Sequence, residues 1–142
     1  MYDRPTLEEL IDAVRQHVEA HLIPLAKGDA RLYFQTLVAI NTLKVAEREL
    51  KLGWGHMRAA WARLNRLENV DLTLPHEPHA AHTVFKSRNR ELCADVRAGV
   101  YDFEPRRSAL FAHLLASTRE QLEVANPRFL EALALEPPQD GG

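Results

Sequence analysis

Apolar residues recur at three- and four-residue steps along most of this chain, the period of helices that each turn one face to a common core. Thr6 and Glu9 have the spacing of a capping box, in which the hydroxyl accepts the N3 amide and the carboxylate returns to the cap amide. Leu7, Leu10, Ile11, Val14, Val18, Leu22 and Leu25 then form one stripe, which predicts a first helix with that stripe facing inward. Pro24 is expected to kink or end it, since proline lacks an amide donor, and Lys27-Gly28 reads as a basic last turn with a glycine stop. Asp29 can cap a second helix running to Leu52 with the stripe Phe34, Leu37, Val38, Asn41, Val45, Arg48 and Leu52, ended by Gly53-Trp54-Gly55.

A third helix is expected from His56 to Leu67, with Met57, Ala60, Trp61, Leu64 and Leu67 on one side. Asn69, Asp71, Pro75 and Pro78 mark the longest loop. The fourth helix, His79 to Ala98, places Phe85, Arg88, Leu92 and Val96 in line and ends at Gly99. Pro105 suits the first position of a fifth helix presenting Leu110, Phe111, Leu114, Leu115, Thr118 and Leu122. Asn126-Pro127 breaks it, and Phe129, Leu130 and Leu133 can form one last docking turn. No segment alternates as a half-buried strand does, and no glycine-rich loop follows a strand. The expected fold is all-α: a single-domain antiparallel bundle of about five helices over 1–135, with residues 136–142 a disordered tail that has nothing to bury.

Composition narrows the class. At 142 residues and 46% hydrophobic the chain can hold its own core without disulfide or metal, and the single Cys93 is expected to sit inside the fourth helix as a small hydrophobe. One cysteine also implies a reducing compartment, so the cytoplasm is the expected location. A net charge of -2 lacks the basic footprint of a nucleic-acid binder, and no apolar run approaches a membrane span or a secretory signal.

Candidate chemistry is sparse. His76, His79 and His82, with Glu77, form an imidazole-rich run whose residue types suit zinc, although Pro75 and Pro78 interrupt it and a complete ligand set is not evident. The alternative is a solvated loop leading into a helix cap. His17 and His21, one turn apart, read as an exposed flank. Asn41, Arg48 and Arg88 fall on stripes otherwise apolar, so each guanidinium needs a carboxylate, a carbonyl or a ligand, or must snorkel along the bundle edge. Ser87, Ser108 and Ser117 lack a nucleophile-elbow context, and Glu47 and Glu49 point in different directions on one helix. No cofactor is expected, and no complete reaction centre is evident in the residues. Trp54 and Trp61 could cover the core or centre an interface, so a homo-oligomer is compatible with the pattern.

Arg4-Pro5-Thr6 through Val14, Ala39-Ile40-Asn41 through Leu50, Leu92-Cys93 through Gly99, and Asn126-Pro127-Arg128-Phe129-Leu130 resemble a small bacterial domain-of-unknown-function family associated with acyl-CoA dehydrogenases and aminoglycoside-phosphotransferase-like kinases. The resemblance implies an accessory protein working beside such a kinase, and beside an acyl-CoA dehydrogenase-like enzyme, in the breakdown of hydroxylated acyl-CoA thioesters. It implies partner- or ligand-facing roles for Asn41, Arg48, Asn126 and Arg128, at the positions that match. The competing readings are a stand-alone metal-dependent enzyme using His76, His79 and His82, and a small acyl-ligand-binding protein.

Overall fold

A computed structural model describes residues 4–136. These residues form an all-α protein of five helices, with no strand among them. α1 comprises an α-helix Leu7–His17, a π-helical turn Val18–Leu22 and a short α-helix Ile23–Ala26; α2 spans Ala30–Glu68, α3 Pro78–Arg97, α4 Arg106–Ala125 and α5 Pro127–Leu135. The tail expected to be disordered, 137–142, lies outside the described residues.

The chain divides into two compact units, one made of the described residues 4–54 and 123–136, the other of 55–122.

Local signals place most helix ends. Thr6 and Glu9 close the capping box, with the Thr6 amide donating to Glu9 Oε2 at 2.8 Å and the Glu9 amide to Thr6 Oγ1 at 3.1 Å. Pro24 does not end α1. Proline's ring crowds the carbonyl four residues earlier, and the widened π turn lies where that carbonyl falls, so the helix runs on to Ala26. The Arg31 and Leu32 amides donate to Asp29 Oδ1 at 2.9 and 3.0 Å, capping α2. Glu77 caps α3 by accepting the His79 amide at 2.8 Å, and Pro78 fills the first turn.

Two glycine signals that look alike in sequence behave differently. At Gly99 the backbone turns left-handed (φ +80°), the Val100 amide reaches the Asp95 carbonyl at 3.1 Å and the Gly99 amide reaches Val96, which together end α3. Gly53 and Gly55 take no such conformation, so α2 passes straight through the expected stop and the second and third expected helices are one. A glycine ends a helix by swinging the chain out at positive φ; with helical φ it only weakens it. A Cβ at Gly53 would meet Glu49 Oε1 at 2.6 Å, whereas one at Gly55 would meet nothing within 4 Å. Gly55→Ala is therefore expected to stabilise the protein by about 0.5–1 kcal/mol, read as a raised urea midpoint with unchanged slope.

The core is uneven. In the unit 55–122, Leu64 (0% exposed), Leu92, Tyr101 and Leu110 cluster, with Leu67 and Phe85 packed against them. The side of α2 that bears Ala60, Trp61 and Leu64 thus packs as its spacing predicts. In the other unit Ala26, Ile40 and Val124 are the buried apolar residues among those described.

Three inward faces differ from expectation. On α1 none of Leu7–His17 is buried. On α2, Ile40 is buried while Phe34, Leu37, Val38 and Asn41 are exposed, so the inward face lies about one residue away from the expected stripe. On α3, Cys93 is exposed rather than interior, because Arg88 and Leu92 hold the inward line and residue 93 lies a further 100° round the helix.

Candidate functional site: a buried polar network

The unit 55–122 holds a polar network between its helices. Arg88, 5% exposed, lies on α3 and reaches the last turns of α2. Its Nη2 and Nε donate to Glu68 Oε2 at 2.7 and 3.2 Å, its Nη1 donates to Asn65 Oδ1 at 2.9 Å, and its guanidinium carbon sits 4.3 Å from the Trp61 ring centroid. The expected alternative, a side chain snorkelling along the bundle edge, does not hold for Arg88. A guanidinium taken from water needs a carboxylate and further acceptors, and Glu68 with Asn65 supplies them. Trp61 Nε1 and Asn65 Nδ2 both donate to the Leu72 carbonyl, at 2.6 and 2.9 Å, which ties the 69–77 loop to the same cluster. Trp61 thereby belongs to the interior, while Trp54 stays exposed.

A second arginine faces α4. Arg63 Nη1 and Nη2 donate to the two carboxylate oxygens of Glu120 at 2.7 and 2.6 Å, a bidentate pair, and Nη2 also reaches Ser117 Oγ at 3.3 Å. Its Nε and the His113 Nδ1 are both buried without a hydrogen-bond partner. His113, Ser117 and Glu120 follow each other at four and three residues, so they share one face of α4 with Leu110. That face is the inward one. Of the stripe expected to pack, Leu110 is buried, whereas Phe111, Leu114 and Leu115 point to water, and Phe111 is 68% exposed. The physical reason is Arg63: a buried guanidinium on α2 needs acceptors, and Glu120 and Ser117 on the polar face of α4 supply them.

Burial lowers the pKa of His113 below its ordinary 6.5, assisted by the positive Arg63 and Arg88 and opposed by Glu120 and Glu68. Burial, then Glu68 and Asp95, raises that of Tyr101. A histidine whose folded pKa is depressed contributes its full stability above the unfolded value and loses it as pH falls from about 6.5 through the folded pKa. Thermal midpoints should fall between pH 7.5 and 5, and the part of that slope due to this imidazole should vanish in His113→Leu.

The other sequence candidates do not converge on this network. Arg48, in the unit 4–54 with 123–136, donates from Nε to the Val124 carbonyl at 2.6 Å, so the acceptor it needed is a carbonyl. Asn41 is exposed, because Ile40 takes the inward position. Asn126 precedes α5 without capping it through its side chain, and Arg128 is exposed. His17 and His21 are exposed with ring centroids 4.9 Å apart.

His76, His79 and His82 are exposed, and among the described residues no three or more His, Cys, Asp or Glu side chains gather as a metal site. His76 lies before the Glu77 cap and His79 and His82 follow it on α3, while the Glu77 carboxylate is taken up by the helix amides of His79 and Ala80. A groove of about 500 Å³ runs along the same helix, lined by His82, Phe85, Lys86, Asn89, Arg90, Cys93 and Arg97, with three permanent positive charges and no carboxylate. Among the described residues no helix is long and apolar enough to cross a membrane.

Arg63, His113, Ser117 and Glu120 are the members of the network that the apolar pattern hides. Their signal is a polar repeat at 113, 117 and 120 running beside the apolar one.

A family model described as a domain of unknown function, DUF6285, matches residues 26–129. No curated protein and no solved structure matches the chain.

Proposed function

The chain belongs to the DUF6285 family, and from that premise we propose that it is a noncatalytic accessory subunit that docks onto a kinase of the aminoglycoside-phosphotransferase type. α4 carries this reading. The helix turns His113, Ser117 and Glu120 inward and leaves Phe111, Leu114 and Leu115 in water, with Phe103 exposed just before its start. Contiguous apolar side chains on the outside of a folded unit mark a surface made for another protein. The polar network beneath holds that face rigid, since the bidentate Arg63–Glu120 pair fixes the rotation of α4. In the role the resemblance implies, the kinase phosphorylates the hydroxyl of a hydroxyacyl-CoA thioester, an acyl-CoA dehydrogenase-like enzyme acts on the product, and this chain supports the kinase.

Coexpression with such a kinase tests the proposal. A stable complex, a kinase rate that depends on the chain, and loss of both with Leu115→Lys are the expected results. A kinase that neither binds the chain nor changes its rate overturns it. The helical circular dichroism of Leu115→Lys should match the parent, because Leu115 is already exposed.

A further inference from the structure

The unit 4–54 with 123–136 is short of an interior. Ala26, Ile40 and Val124 are its buried apolar residues among those described, too little to offset about 1–2 kcal/mol of backbone entropy for each ordered residue. α1 shows where the missing interior lies. Two ion pairs join it to α2: Arg15 Nε lies 2.7 Å from Glu47 Oε1 and Lys44 Nζ 3.0 Å from Glu19 Oε1. Arg15 also pairs with Asp12 and Glu19 on its own helix, and the hydrogen bond to Glu47 above all raises its pKa. Ile11, Val18 and Ile23 are half-buried beside these pairs. The outer part of the apolar stripe, Leu7, Leu10, Val14, Leu22 and Leu25, is left in water, and Leu25 is 77% exposed.

The geometry points to a second copy of this chain as the cover of that stripe, its α1 lying antiparallel to the first about a twofold axis between Val14 and Val18. Such an interface must be its own complement. Antiparallel pairing sets Leu7 of one copy against Leu25 of the other and Leu10 against Leu22, so apolar meets apolar along the whole stripe. It also sets Glu8, in the acidic first turn, beside the end of α1 that Lys27 follows, so opposite charges meet at both ends. A parallel pairing would instead bring Glu8 and Glu9 against their own copies.

From Leu7 to Leu25 the stripe runs about 27 Å at the helical rise. A standard interface takes roughly 800 Å² from each partner, more than one helix face supplies. Leu32 and Phe34 begin α2 just after the short Lys27–Asp29 connection, at the same end of the hairpin as Leu25, and are exposed there to extend the contact. This pairing does not depend on the kinase reading, which uses α4.

Sedimentation equilibrium of the full chain alone is the test. The parent should sediment at twice 16.2 kDa. Val14→Glu and, separately, Leu10→Lys should sediment at the single mass with helical circular dichroism retained, since both positions are already exposed. A parent of single mass at micromolar concentration, or a Val14→Glu that stays paired, overturns the proposal. Disulfide cross-linking in a Cys93→Ala background reads the direction. Leu7→Cys with Leu25→Cys should cross-link between chains, the two positions being too far apart to join within one helix, and either cysteine alone should not. Cross-linking by Leu7→Cys alone would overturn the antiparallel arrangement. Kinase binding retained by Val14→Glu, and pairing retained by Leu115→Lys, would show the two surfaces to be separate; loss of pairing in Leu115→Lys would overturn the assignment to α1.

Discussion

Leu64→Ala is expected to remove about 3–5 kcal/mol of stability and lower the thermal midpoint by about 10 °C or more. Leu64 is the one large side chain with no exposure among the described residues, and it joins Leu92, Tyr101 and Leu110 of three different chain segments. Truncation forfeits the transfer of three carbons from water and leaves a cavity whose walls are helix backbones, which collapse only in part. Two nearby facts make the upper half of that range the expected one. Tyr101 is held by its own burial, and Trp61 is tied by its indole to the Leu72 carbonyl, so neither can swing in to fill the space. Leu115→Ala removes the same atoms from an exposed site and should change stability by no more than about 0.5 kcal/mol. Guanidinium or urea titration of the two variants side by side measures the contrast, and equal effects would contradict the assigned inward face of α4.

Arg88→Ala should be the next most damaging single change, at about 2–4 kcal/mol. It removes the partner of Glu68, an acceptor's donor at Asn65 and the cation over Trp61 together. Glu68 is 24% exposed on its side chain, so water can rehydrate part of the abandoned carboxylate, which places the cost below that of a fully enclosed charge. A second substitution separates the loss of a favourable pair from the stranding of a charge. In an Arg88→Met background Glu68→Gln should recover part of the stability, because the neutral amide leaves no unpaired charge behind. Additive losses in the two single variants and the double would show that the ion pair contributes little coupling, and that Arg88 acts through packing on Trp61.

Helix existence was legible in the sequence because caps and breakers act locally. Thr6 with Glu9, Asp29, Gly99 and Asn126-Pro127 each mark an observed boundary through bonds formed within a few residues. Gly53 and Gly55 failed as boundaries because the letter glycine does not carry its φ, and only a left-handed φ ends a helix. Helix faces were harder. Periodicity locates an apolar stripe but not its partner, and at α4 the demand of Arg63 for a carboxylate outweighed the burial of Phe111, Leu114 and Leu115. Such a demand is set across 57 residues of sequence, between positions that spacing within one helix cannot connect. Arg88 was legible as a residue in need of a partner, whereas the identity of that partner, Glu68, depended on how α3 returns along α2.

The outward face of α4 also bears on the life of the protein in a cell. Phe111 and Leu115 shown to water are what chaperones and quality-control proteases recognise in chains that have yet to find their place. If α4 docks as proposed, the chain is expected to survive by being covered and its abundance to follow that of its partner. Copies made in excess would then be cleared, and degradation of the surplus would keep the two proteins in proportion.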